Sequence, residues 1–291
     1  MQQKDESKKL ISISKPCENG YRKYVYGDTI DEIVDALVEL GDAQFINWFV
    51  KNQRNLSEQQ LKKFIDVIIK SKDVEQIYEF TISSKLSCIK ELEDAVVASE
   101  NVNYIYRFAR YVKGADITKF QDAVIASKNL CYICNFAENV KNADIAKLED
   151  TVIASGYACY IYRFARYVKG ADITKLEDAV IASGYACYIY SFAKEVKNAD
   201  ITKIEDAVIT SGNVQYIYYF ARDIKGTDIT NLEDALIASE DAEYIYRFAK
   251  DVKNADINKL WEAVVNTKDK TYIRKFKENF KVKRKRFFSK L

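Results

Sequence analysis

The run RFARY occurs twice, placing Arg107, Arg110 and Tyr111, and again Arg163, Arg166 and Tyr167, at the same relative positions. Arginines three apart share one side of a helix. Their planar forks pair bidentately with carboxylates or phosphates, and an exposed tyrosine beside them acts as a rigid aromatic anchor. That is recognition chemistry. Related positions downstream hold Tyr219, Arg222, Arg247 and Lys250. A second cationic group, with Lys283, Arg284, Lys285 and Arg286, sits in the final KVKRKRFFSKL, which could contact phosphates, an acidic protein or an anionic membrane surface.

Other reactive residue types lead nowhere catalytic. The chain has no histidine, which removes the commonest general base and metal ligand and every Ser-His or Cys-His nucleophile pair. Cys131 and Cys134 form a C-x-x-C, and Cys159 and Cys187 repeat the first position at later intervals. Zinc needs four ligands about 2.3 Å from the metal, whereas cysteines on successive packed helices stand roughly 10 Å apart. The paired acids Glu177 and Asp178 point about 100° apart on a helix, and their recurrence along the chain argues against one active site. No Gly-rich phosphate loop or nucleophile elbow occurs. The expectation is a protein without enzymatic activity, metal, cofactor or small-molecule substrate.

Thirty per cent of the 291 residues are charged and the formal net charge is +2. Six positive charges lie in residues 281–291, so the remainder is net −4. A dedicated nucleic-acid binder usually has a basic domain rather than a basic tail on a mildly acidic one. No run approaches the roughly 20 apolar residues of a membrane span, and MQQKDESKKLISISKPCENG lacks the apolar core of a secretory signal. Six cysteines then read as reduced thiols, and the expected location is the cytoplasm.

The elements that position these residues are repeats. LEDTVIASGYACYIYRFARYVKGADITK at 148–175 is followed at 176–203 by LEDAVIASGYACYIYSFAKEVKNADITK, a period of 28 residues. Ile-x-x-Phe recurs in register at Ile77/Phe80, Ile105/Phe108, Ile133/Phe136, Ile161/Phe164, Ile189/Phe192, Ile217/Phe220, Ile245/Phe248 and Ile273/Phe276, with Ile46/Phe49 preceding. This gives about nine units over 30–280, the outer ones atypical as end repeats should be. Residues 1–29 form an N-terminal cap or extension, and 281–291 a basic tail.

Each unit reads as two short helices. Ile105, Phe108, Ala109 and Val112 make the buried stripe of the second. A C-cap is expected at Gly114, Asn142, Gly170, Asn198, Gly226 and Asn254, since Gly and Asn enter the left-handed conformation cheaply. Asp116, Asp144, Asp172, Asp200, Asp228 and Asp256 follow two residues later, and either these or the Thr of Thr174/Glu177, Thr202/Glu205 and Thr230/Glu233 can cap the next helix, the latter as capping boxes. That helix is expected to bury Ile173, Leu176, Ala179 and Val180.

On a helical wheel Tyr104 and Tyr106 flank the core stripe on opposite sides, so Tyr106 should meet Tyr132 of the next unit in an inter-repeat aromatic ladder. Arg107 and Arg110 point outward, in rows that vary between units. Asp94, Asp122, Asp150, Asp178, Asp206 and Asp234 point outward from the first helices. The expectation is an acidic first layer and a mostly basic stripe along the second helices.

The fold class is therefore all-α, an α-solenoid forming an elongated superhelical arc on the order of ~80 Å long. The chain resembles HEAT-like α-solenoids with unusually short repeats, and helical-repeat proteins of low-GC bacteria and their phages. That resemblance covers the repeat region and implies no catalytic residues; a phage origin would make the location a host cytoplasm. The functional expectation is a protein–protein interaction scaffold, adaptor or inhibitor acting through the Arg/Tyr stripe. The alternative is nucleic-acid backbone binding by the same stripe and the tail.

Overall fold

Eighteen helices in nine consecutive pairs make up almost all of the computed structural model, which describes residues 11–16, 22–53 and 55–280. The chain divides into two compact units between Asp144 and Ile145. The first opens with an antiparallel hairpin, β1 (Ile11–Pro16) and β2 (Arg22–Gly27), in which Ile11 pairs with Gly27 and Pro16 with Arg22. β2 lies against α1, and Val25 is buried there. The helices are α1 (Ile30–Leu40), α2 (Ala43–Asn52), α3 (Glu58–Lys70), α4 (Val74–Ser84), α5 (Lys90–Ala98), α6 (Val102–Tyr111), α7 (Ile117–Ala126) and α8 (Leu130–Asn139).

The second unit continues with α9 (Ile145–Ala154), α10 (Ala158–Tyr167), α11 (Ile173–Ala182), α12 (Ala186–Glu195), α13 (Ile201–Thr210), α14 (Val214–Asp223), α15 (Ile229–Ala238), α16 (Ala242–Asp251), α17 (Ile257–Asn266) and α18 (Lys270–Asn279). From α2 onward, each helix packs on its sequence neighbours within its unit. Second helices also pack on second helices, α4 on α6 and α6 on α8 in one unit, α10 through α18 in the other. This is an α-solenoid. The segments at 283–286, with Lys283, Arg284, Lys285 and Arg286, lie outside the described residues.

Ten-residue helices are too short to be stable in isolation, so each depends on the face it buries. Phe108 and Phe136 in the first unit, and Phe164, Phe192, Phe220, Phe248 and Phe276 in the second, are fully buried at one repeat position. Each such ring contributes about 1.5–3 kcal/mol by leaving water. The first helices present Leu176, Glu177 and Val180 and their equivalents inward, while Ile173 and Ala179 are only half-buried. The buried glutamate replaces two of the expected apolar residues.

The helix ends match expectation in part. Asp, one of the two expected caps, closes α7, α11, α13, α15 and α17: Asp172 Oδ1 accepts the Lys175 N–H at 3.2 Å, and Asp200 and Asp228 do likewise. The glutamates of the Thr-x-x-Glu pairs do not reach back to make capping boxes. They reach forward to the next repeat, where Glu177 accepts from the Asp200 N–H. At the other end, α6 stops at Tyr111, and Val112 is already extended, with φ −85° and ψ 122°. Gly114, at φ 82°, turns the chain two residues further on, as does Asn142 at φ 60° after α8. The left-handed residue is thus the pivot of the turn rather than the cap, because the intervening Val must stay extended to fold its side chain back onto the core.

Candidate functional site

The buried glutamate row is the first joint between repeats. Glu93 accepts the backbone N–H of Asp116 at 2.8 Å, Glu149 that of Asp172 at 2.7 Å, Glu177 that of Asp200 at 2.7 Å, and Glu233 that of Asp256 at 2.8 Å. Each therefore fixes the residue that caps the next first helix. Gln121 does the same with its amide oxygen, 2.8 Å from the Asp144 nitrogen. Lys119, Lys175, Lys203 and Lys259 lie 3.2–3.9 Å from their glutamates and also pair with the outward Asp94, Asp150, Asp178 and Asp234. The first layer is thus an alternation of acid and lysine, where an acidic surface was expected.

The second helices carry the candidate recognition residues on a tyrosine ladder. Tyr106 meets Tyr132 with ring centroids 5.9 Å apart, and Tyr190 meets Tyr216, Tyr218 meets Tyr244 and Tyr246 meets Tyr272 at 5.8–5.9 Å. The ladder sits where the helical wheel puts it. Its hydroxyls do not simply reach the rim. In the second unit they join a row of acids at the ends of the second helices, Glu195, Asp223 and Asp251, which the sequence reading passed over. Tyr190 Oη donates to Asp223 at 2.5 Å and Tyr218 Oη to Asp251 at 2.6 Å, and Tyr162 Oη donates to Glu195. The signal was present as a tyrosine followed by an acid 33 residues later.

Basic residues close these joints. Arg166 donates to Tyr162 Oη at 2.7 Å and pairs with Glu195. Lys194 reaches Tyr190 Oη at 2.7 Å and Asp223 at 3.1 Å, and Arg222 holds Asp223 at 2.6 and 3.1 Å. The Arg222 bonds, helped by those from Tyr190 and Lys194, hold the Asp223 carboxyl well below the usual carboxylate range. Burial, and then the bond to Glu195, pushes the Tyr162 hydroxyl up to about 12. Arg247 pairs with Glu243 at 2.5 Å and stacks over Tyr244. The stripe of the second unit is therefore interleaved with carboxylates. Arg163 is half-buried, Lys250 is exposed on α16, and Tyr219 is half-buried among Tyr190, Tyr216 and Tyr218.

In the first unit the same positions are differently filled. Arg107 lies 4.5 and 5.0 Å from the centroids of Tyr78 and Tyr104. Arg110 donates to Tyr106 Oη at 2.5 Å and sits 5.1 Å from the ring of Tyr111. Among the described residues neither guanidinium has a carboxylate partner.

Four tyrosines of the repeats are left in water, two of them beside an arginine. Tyr111 is 55% exposed and Tyr167 48%, both ending their helices next to an arginine. Tyr157 and Tyr185, 62% and 59% exposed, occupy N-cap positions of α10 and α12 and make no side-chain cap bond. At the equivalent place Asn101, Asn129, Asn213 and Asp241 all cap. The last two tyrosines were not foreseen as candidates, although their departure from the Asn/Asp pattern was visible in the sequence.

Among the described residues no helix is long and apolar enough to cross a membrane, and no group of three or more His, Cys, Asp or Glu is placed to hold a metal ion. No protein-family model and no curated protein matches this chain.

Proposed function

We propose that this chain is a non-enzymatic binding protein, a scaffold, adaptor or inhibitor whose partner is another protein. The observation that carries the reading is the exposure of Tyr111, Tyr157, Tyr167 and Tyr185 on an otherwise uniform repeat. The core position filled by Phe108 is phenylalanine in every regular unit, while the outward row runs Arg107, Asn135, Arg163, Ser191, Tyr219 and Arg247. A constant interior with a variable exterior separates folding from recognition. Tyr111 and Tyr167, exposed rings next to Arg110 and Arg166, have the composition of interface hot spots.

The carboxylates Glu195, Asp223 and Asp251 along the second unit's stripe favour a protein surface of mixed charge over a phosphate backbone, which would meet them with repulsion. Affinity capture from nuclease-treated lysate of the encoding organism tests this. A specific protein retained by the wild type, and lost when Arg166→Glu and Tyr167→Ala are combined, is the expected result. Retention that vanishes on nuclease treatment would point to nucleic acid.

A further inference from the structure

The first unit contains a joint that the chain itself leaves open. In the second unit a basic residue, Arg166 or Lys194, meets both a tyrosine hydroxyl of its own helix and a carboxylate at the end of the next second helix, Glu195 or Asp223. Arg110 is the counterpart on α6. It meets the Tyr106 hydroxyl, but the place of the acid is taken by Asn139, whose amide turns back to the Asn135 carbonyl at 3.0 Å. Arg110 therefore has half of the coordination that its counterparts complete internally.

A groove of about 450 Å³ lies beside it, lined by Arg110, Tyr111, Gly114, Asn139, Lys141 and Asn142 among others. Arg110, Tyr111 and Lys141 are all exposed. The groove sits at the C-terminal ends of α6 and α8, where last-turn carbonyls lack intrahelical partners and the helix dipole is negative. An occupant must bring a carboxylate for Arg110 and Lys141 and also N–H donors for those carbonyls. An acidic peptide segment brings both. A phosphate backbone brings acceptors alone and leaves those carbonyls unpaired.

We propose that this groove binds an acidic peptide segment of a partner protein, whose Asp or Glu side chain takes the place that Glu195 and Asp223 fill for Arg166 and Lys194. The inference rests on the reading that the chain binds a protein, and it specifies where and by what chemistry. Tyr111 lies beside the guanidinium and lines the groove with it, which restricts the cation before the ligand arrives.

The test follows arginine Nε–H signals by NMR during titration with acetyl-tetraglutamate amide, with inorganic phosphate and with oligothymidylate as competing probes. The Arg110 signal shifts with the peptide while those of Arg166 and Arg222, already engaged, stay in place. Asn139→Asp supplies an internal acid, so the peptide's apparent affinity drops at least about tenfold while thermal stability is kept or raised. Should Asn139→Asp fail to fold, Arg110→Gln is expected to give the same loss. A peptide response at Arg166 equal to that at Arg110, an equal response to phosphate or oligothymidylate, or peptide binding indifferent to both variants would overturn the proposal. A partner captured equally by wild type and Asn139→Asp would sink this groove while leaving the broader reading intact. If no partner is captured at all, the broader reading itself fails.

Discussion

Glu205 accepts the backbone N–H of Asp228 at 2.9 Å from a buried position, and Asn231 stands where the equivalent glutamates have a lysine. Burial raises the Glu205 carboxyl above its ordinary value, opposed only in part by the bond from Asp228. One joint of the second unit is thus built on a buried carboxyl with no lysine at the equivalent position, and a neutral isostere there has a precedent in Gln121.

Glu205→Gln keeps an acceptor for the Asp228 N–H and removes the buried charge. A carboxyl whose folded pKa is raised stabilises most while protonated, below its ordinary value of 4.5, and loses that contribution as pH rises through the folded pKa. The glutamine variant is therefore expected to melt at or above the wild type at pH 7, the two converging near pH 4. Glu205→Ala strands the N–H and costs roughly 1–3 kcal/mol. Thermal melting across pH reads both, and a wild type more stable than Glu205→Gln at neutral pH would contradict the assignment.

Asp223 has the opposite sign. Arg222, Tyr190 and Lys194 hold its carboxyl low, so its contribution is full above the ordinary value of 3.8 and is lost as pH falls through the folded pKa. Asp223→Asn is expected to destabilise by roughly 1–3 kcal/mol at neutral pH, with the difference from wild type shrinking in acid. Asp178→Asn, which breaks only an exposed pair with Lys203, should change stability by no more than about 1 kcal/mol. Equal effects of the two substitutions would show that the hydroxyl–acid joint is no stronger than a surface pair.

Tyr157→Asn and Tyr185→Asn restore the cap that Asn101 and Asn213 make elsewhere. Each should stabilise by about 0.5–2 kcal/mol. If the exposed rings serve recognition, the same substitutions weaken partner capture, a trade of stability for binding that a structural role for the tyrosines would not produce. Melting temperature and captured partner are measured on the same variants.

Phe220→Ala is expected to cost about 3–5 kcal/mol, since the ring is fully buried and its neighbours are held by joints on both sides. Hydrogen exchange should show the loss concentrated in α13 to α16. A uniform loss across the second unit would mean that its repeats unfold as one block rather than as coupled neighbours.

Much of this fold is legible because a repeat shows its core many times. The Phe108 row, the Asp172 caps and the Tyr106–Tyr132 contact all follow from helical spacing, which fixes direction within one element. The inter-repeat joints were harder to see. Glu177 reads as a capping residue because Thr174 stands three before it, and only the packing of the next repeat shows that the Asp200 N–H lies closer than its own helix end. The same holds for Glu195 and Asp223. Their relation to Tyr162 and Tyr190 spans a turn and a whole first helix, a distance over which periodicity gives register but no contact. Arg166 and Arg222 looked like free recognition groups until those acids were placed. Arg110 looks the same in sequence and differs because Asn139 is neutral.

The central claim is that the outward Arg/Tyr positions recognise a protein. Its most direct measurement is quantitative affinity capture from nuclease-treated lysate of the encoding organism, comparing wild type with a protein carrying Arg110→Glu, Tyr111→Ala, Arg166→Glu and Tyr167→Ala together, after both are shown to melt alike. A protein held stoichiometrically by the wild type and reduced at least about tenfold by the variant is the expected result. An identical captured set from both proteins would contradict it.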